Sequence, residues 1–145
     1  MRGTANPDEM SQAISDADLR DILTTTKVIG LVGASLNPTR PSFGVARYLV
    51  DHGYQVIGVN PGLVGQMLFG TPIVASVQDL PDNVDMLDVF RRSEAVPQVV
   101  EEAIKAVPNL RTIWLQLGVI SGAAEQMAAQ ADIRFVQDRC PKIDH

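Results

Sequence analysis

Apolar residues along this chain change period several times, and the changes lay out its elements. Val28-Ile29-Gly30-Leu31-Val32 is a continuous apolar run, too short for a buried helix and rich in β-branched residues. Such a run predicts a strand covered on both faces. Before it, Ser15-Asp16-Ala17-Asp18 offers helix-starting chemistry and Leu19, Ile22 and Leu23 follow at helical spacing. A short helix from about Asp16 to Thr26 should therefore lid one face. After the strand, Val45, Ala46, Leu49 and Val50 mark the apolar side of a helix that Gly53 can end. Gln55 to Val59 reads as a second strand, which Asn60-Pro61-Gly62 breaks. The stretch to about Gly70 reads as a loop over the sheet edge, and Ser76 to Leu80 as a short helical turn.

Asp85 to Phe90 predicts a third strand, and its two acids, Asp85 and Asp88, imply an end or a face near solvent. Val96, Val99, Val100, Ala103, Ile104 and Val107 form the cleanest helical stripe in the chain. Pro97 must fall in the first turn of that helix, since deeper inside it costs about 3 kcal/mol. Thr112 to Leu115 is a fourth strand, Gln116-Leu117-Gly118 a turn, Ser121 to Ala131 an Ala-rich helix and Ile133 to Val136 a fifth strand. The tail from Gln137 to His145 has no period.

Strands alternating with helices over short connections imply parallel pairing, helices on both faces and right-handed crossovers. The expected fold is a Rossmann-like, doubly wound α/β domain with a five-stranded parallel sheet. It should occupy residues 15–145 as a single domain behind a flexible polar arm over residues 1–14. In such sheets ligands collect beyond the carboxyl ends of the strands, where strand order reverses. Four turns should meet there: Gly33 to Ser42, Asn60 to Gly62, Phe90 to Ser93 and Gln116 to Gly118.

Composition narrows the classes. With 145 residues, 46% hydrophobic and 20% charged, the chain is of ordinary globular make-up. No apolar run approaches the roughly 20 residues of a membrane helix, and the N-terminus lacks the parts of a secretory signal. A net charge of −5 and a pI near 4.8 oppose nonspecific nucleic-acid binding. One cysteine, Cys140, allows no internal disulfide and suits a cytoplasmic setting. One Cys and two His are too few for structural zinc. Arg40, Arg47, Arg91 and Arg92 fall beside one edge of the sheet, where they either meet an anion or are simply solvated.

The first turn opens with Gly30-Leu31-Val32-Gly33-Ala34-Ser35. Small residues there let a phosphate approach the backbone and the start of the next helix, and Ser35 and Ser42 add hydroxyls. The third glycine of G-x-G-x-x-G is missing, so spacing alone leaves a merely structural turn open. At the end of strand two, NAD-binding domains carry an acid for the ribose, whereas this chain has Asn60 and Pro61. That disfavours an NAD(P)-binding oxidoreductase or redox sensor, which stays as the alternative. Asn-Pro offers either an apolar ledge with an amide or a loop of fixed φ. Trp114 reads as core rather than as a stacking platform. Asp85 and Asp88 lie three apart on a strand, so they face opposite sides and form no acid–base pair. His52 and His145 read as surface groups.

Taken together, Val32-Gly33-Ala34-Ser35, Pro38, Arg40, Ser42, Tyr48-Leu49, Gly53-Tyr54, Val59-Asn60-Pro61, Asp88-Val89-Phe90-Arg91, Trp114-Leu115-Gln116 and Asp138-Arg139-Cys140-Pro141 resemble the small stand-alone CoA-binding proteins. These are similar to the N-terminal domain of the succinyl-CoA synthetase α subunit. The resemblance implies a coenzyme A, or acyl-CoA, whose phosphates rest on Gly33, Ala34 and Ser35. Asn60 and Pro61 would lie along its pantetheine or adenosine, with Phe90 and Gln116 lining neighbouring turns and Ser42, Arg91 and Gly118 completing the site. Arg40 is the natural partner for a phosphate. Cys140 either packs as a small residue or, its thiol tuned by Arg139 or Lys142, exchanges with the bound thiol. Without the domain that carries the synthetase's phosphorylated histidine, the expectation is a non-catalytic carrier, sensor or accessory module, alone or with a protein partner or a second copy. A scaffold with a drifted pocket is a third reading.

Overall fold

The computed structural model describes residues 15–140, so the expected arm over residues 1–14 and the residues from Pro141 to His145 lie outside it. Helix α1 (Asp16–Thr25) starts at Ser15, whose hydroxyl accepts the Asp18 N–H at 3.0 Å. Strand β1 (Val28–Val32) is buried along its whole length. Helix α2 (Pro41–Asp51) follows and ends before Gly53, which takes φ +95°. Strand β2 is Gln55–Val59. Further on come β5 (Met86–Val89), α3 (Val96–Ala106) with Pro97 in its first turn, β6 (Thr112–Leu115), α4 (Gly122–Gln130) and β7 (Arg134–Val136).

The five strands pair in parallel in the order β2-β1-β5-β6-β7. The chain leaves β1 toward β2 and then returns to the other side of β1 for β5. The order therefore reverses between β1 and β5, where a doubly wound sheet opens a crevice. This is the Rossmann-like α/β architecture expected from the sequence.

Alternation along each strand divides the core into two layers. Ile29, Leu31, Met86 and Trp114 face α1 and α2, meeting Leu19, Ile22, Val45 and Leu49. Val28, Val32, Leu87, Val89, Ile113 and Leu115 face α3 and α4, meeting Val96, Val100, Ala103, Ala124 and Ala128. Trp114 is fully buried, as a core residue should be, and its indole N–H donates to the Arg139 carbonyl at 2.9 Å. No described helix is long and apolar enough to cross a membrane.

Two local expectations need correction. The stretch from Asn60 to Gly70 is not plain loop: a 3-10 turn (Pro61–Leu63) leads into a hairpin of β3 (Met67–Leu68) and β4 (Thr71–Pro72). Its turn puts Phe69 at φ +48° and Gly70 at φ +87°, the two left-handed residues a tight hairpin needs. Phenylalanine in the first of those places hides the usual Asn-Gly or Asp-Gly signal.

The second correction concerns the acids of β5. Neither turns its carboxylate simply to water. The Asp85 carboxylate lies just before the strand and accepts the N–H groups of Lys27 at 3.0 Å and Val28 at 3.0 Å, closing off the start of β1. Asp88 is fully buried. Because Asp85 satisfies backbone donors with a charged acceptor, Asp85→Ala should lower unfolding stability by about 1–3 kcal/mol in urea titration. A loss below a few tenths would mean that water replaces the carboxylate.

Candidate functional site

Between the carboxyl ends of β1 and β5 the crevice opens into a cleft of about 800 Å³. Its geometry begins at Gly33, which follows β1 with φ +88°. A Cβ there would lie 2.7 Å from the Phe90 carbonyl oxygen, so the two turns can meet only through glycine. The N–H groups of Gly33 and Ala34 both donate to the Val59 carbonyl, at 3.0 and 3.3 Å. These residues therefore give a ligand close approach rather than hydrogen bonds. Asn60 braces the same turn: its amide nitrogen donates to the Ala34 carbonyl at 2.8 Å and its oxygen accepts the Gly62 N–H at 2.8 Å. Both ends of the Asn60 amide are thus in use.

Helix α2 points its start at the cleft, bringing a positive dipole end. Pro41 carries no N–H, and the Phe43 and Gly44 N–H groups already reach the Arg40 carbonyl. Ser42 is left to donate in that first turn. Arg40, Arg91 and Arg92 line the cleft against a single carboxylate, Glu94. Among the described residues none of the three arginines forms an ion pair. The local field is therefore positive although the chain is acidic. Arg47 does not share it, since it lies on the exposed side of α2 within 4.0 Å of Asp51.

Every residue expected at the site lines this cleft except Pro61. Pro61 lines a smaller neighbouring hollow of about 340 Å³, which shares Gly33, Asn60 and Arg91 with it. Gly118, at φ +83°, donates its N–H to the Asp138 carboxylate at 2.7 Å, which fixes the turn after β6 to the last described segment. Cys140, from that segment, is buried against the wall with Trp114 and Val136. His52 caps the far end of α2, stacked on Tyr48 with ring centroids 3.9 Å apart.

One functional candidate escaped the sequence reading. Beneath the cleft the Gln116 amide nitrogen donates to Asp88 Oδ1 at 2.7 Å, and Asp88 Oδ2 is sealed in without a partner. Burial pushes the Asp88 carboxyl up from 3.8 to about 7, against the opposing pull of the Gln116 hydrogen bond. The signal was an acid inside an otherwise apolar strand; its partner lies too far along the chain for spacing to reveal.

Residues 27–145 match the family described as CoA binding domain. The chain belongs to that family. A relative at 34% identity is the uncharacterized protein YneT of Bacillus subtilis, matched over 90% of this chain and 94% of its own. A second is the α subunit of an ADP-forming acetate–CoA ligase from Pyrococcus furiosus, 25% identical over 79% of this chain. The chain spans 27% of that subunit. Among solved structures, a hypothetical protein from Pyrococcus horikoshii OT3 superposes with a TM-score of 0.85 at 34% identity, covering 100% of this chain and 96% of that one. The family expected from the sequence is thus the family found, with an acetate–CoA ligase as the larger relative.

In this CoA-binding domain the buried carboxyl makes stability depend on pH. The native carboxyl keeps its proton until about pH 7, whereas the unfolded chain releases it near 3.8. Wild-type stability relative to Asp88→Asn should therefore fall as pH rises from about 4 to about 7, then level off. Urea titrations of both proteins across that range check this; parallel curves would place the Asp88 proton elsewhere.

Proposed function

We propose that this domain binds coenzyme A or an acyl-CoA in the cleft between β1 and β5 and serves as a carrier, sensor or accessory module. The observation that carries the reading is the cleft itself: an anion-attracting crevice with three arginines, at the switch point of a sheet whose chain belongs to this family. The diphosphate lies against Gly33 and Ala34 and takes hydrogen bonds from Ser35 and Ser42. Arg40 and Arg91 hold phosphate oxygens in two-pronged contacts. The pantetheine arm runs past Phe90 toward Gln116 and Gly118. Asn60 acts from behind, keeping the turn in place.

The alternative of a nicotinamide dinucleotide has less to support it. Its ribose is usually held by an acid at the end of β2, where this chain has Asn60, an amide that braces the neighbouring turn. The chemistry of the ligase subunit belongs to a chain of which this one spans 27%.

Thermal-shift titrations with CoA, acetyl-CoA, dephospho-CoA and NAD test the reading. A ligand at 100 times its Kd adds about 2.7 kcal/mol to stability, an easily measured rise in Tm. CoA and acetyl-CoA should stabilise, NAD should not, and a weaker effect of dephospho-CoA would assign an arginine to the ribose phosphate. Stabilisation by NAD alone, or by none of the four, would overturn the proposal. Arg40→Ala should weaken CoA binding by about 10- to 100-fold in calorimetry, the value of a charge-assisted hydrogen bond of ~1.5–3 kcal/mol. Unchanged affinity would remove Arg40 from the site.

A further inference from the structure

The pairing of Asp88 with Gln116 leaves two oxygens in unlike states. Asp88 Oδ2 is sealed and unpartnered. The Gln116 amide oxygen has no hydrogen-bond partner among the described residues, yet it is not sealed, and Gln116 lines the cleft. Which end of an amide faces a site is decided by what holds its other end. An ionised carboxylate only accepts, so it takes the amide nitrogen and leaves the oxygen outward. We infer that Asp88 is a positioning residue: from beneath the cleft it holds Gln116 so that the cleft floor presents a fixed hydrogen-bond acceptor to a donor group of the ligand.

This inference rests on the CoA reading, under which the matching donors are the amide N–H groups and the free thiol of the pantetheine arm. An acceptor held this way selects a ligand that carries a donor, because a buried acceptor left unmatched is costly. Protonation of Asp88 converts its carboxyl into a donor, which can bond the Gln116 oxygen and turn the amide nitrogen toward the cleft. The acceptor face is then lost.

The groups packed around Asp88 leave it to control this amide. On its own face of the sheet, Leu31 of β1 and Trp114 of β6 stand beside it in register. Val45, Ala46 and Leu49 of α2 and Leu19, Ile22 and Leu23 of α1 are the apolar cover of that layer. Its titratable members are Tyr54, whose hydroxyl is bonded to the Leu23 carbonyl, Cys140 and the partly buried Tyr48. The charged groups of the cleft are Arg40, Arg91, Arg92 and Glu94, and among the described residues none is paired with Asp88. A carboxylate kept in so apolar a layer, at a cost in stability, is accounted for by the amide it orients.

A mutant cycle and an NMR titration together test the inference. CoA affinity is measured by calorimetry at pH 6 and pH 8 for wild type, Asp88→Ala, Gln116→Ala and the double variant. Asp88→Val serves as a second variant in case the smaller residue fails to fold. The expected result is a three- to tenfold loss in each single variant, about the value of one hydrogen bond. The double variant should bind no more weakly than Gln116→Ala alone, and wild type should bind more tightly at pH 8, a difference that vanishes without Asp88. Additive losses, or an Asp88 variant that binds like wild type at both pH values, would overturn it. In parallel, the side-chain amide of Gln116 is followed by NMR in ¹⁵N-glutamine-labelled protein without ligand, assigned by its loss in Gln116→Ala. That signal should titrate near pH 7 and stop titrating in Asp88→Ala; a signal indifferent to pH and to Asp88 would overturn the positioning role. If wild type fails to bind CoA while the amide titrates, the CoA reading falls and the orienting contact stands.

Discussion

Where strand order reverses, two turns must pass so close that no side chain fits between them. The Phe90 carbonyl would sit 2.7 Å from any Cβ at position 33, and the backbone there is left-handed besides. From this contact the rest of the site follows. It aims the start of α2 into the crevice and sets the end of β5 opposite the end of β1. Asn60 then secures the turn from the β2 side, with one hydrogen bond to Ala34 and one from Gly62. A turn braced on both sides in this way has less freedom to lose when something orders against it.

The two acids near β5 show how one residue type serves opposite ends of a sheet. Asp85, at the amino edge, satisfies two backbone donors and so stabilises the fold directly. Asp88, near the carboxyl edge, is buried with half its carboxyl unmatched and costs stability instead. The stabilising acid thus sits at the amino edge and the costly one at the carboxyl edge, the side on which ligand sites of such sheets gather.

Most of the layer structure was legible because each strand and helix carried a period of its own and the turns between them carried glycine, proline or asparagine. Four turns could then be brought together by topology alone, and each of them contributes residues to one cleft, although Pro61 turns into the hollow beside it. What stayed hidden depended on partners distant in sequence. The β3–β4 hairpin was masked because a phenylalanine occupies a place usually held by Asn or Asp. Asp88 looked like an acid at a solvent end or face because its partner, Gln116, comes from the turn after the next strand. The roles of Gly33, Ala34 and Asn60 were also beyond spacing, since only the Val59, Ala34 and Gly62 contacts reveal which of their polar groups are already occupied.

The tie between Trp114 and Arg139, together with that between Gly118 and Asp138, makes the last described segment a wall of the same cleft that the first strand opens. A chain made from its amino end therefore cannot finish this cleft early. β1, α2 and β2 can emerge from a ribosome and pair while the far wall is still unmade. The cleft as described is whole only once β7 has joined the sheet and the segment after it lies against Trp114 and Gly118.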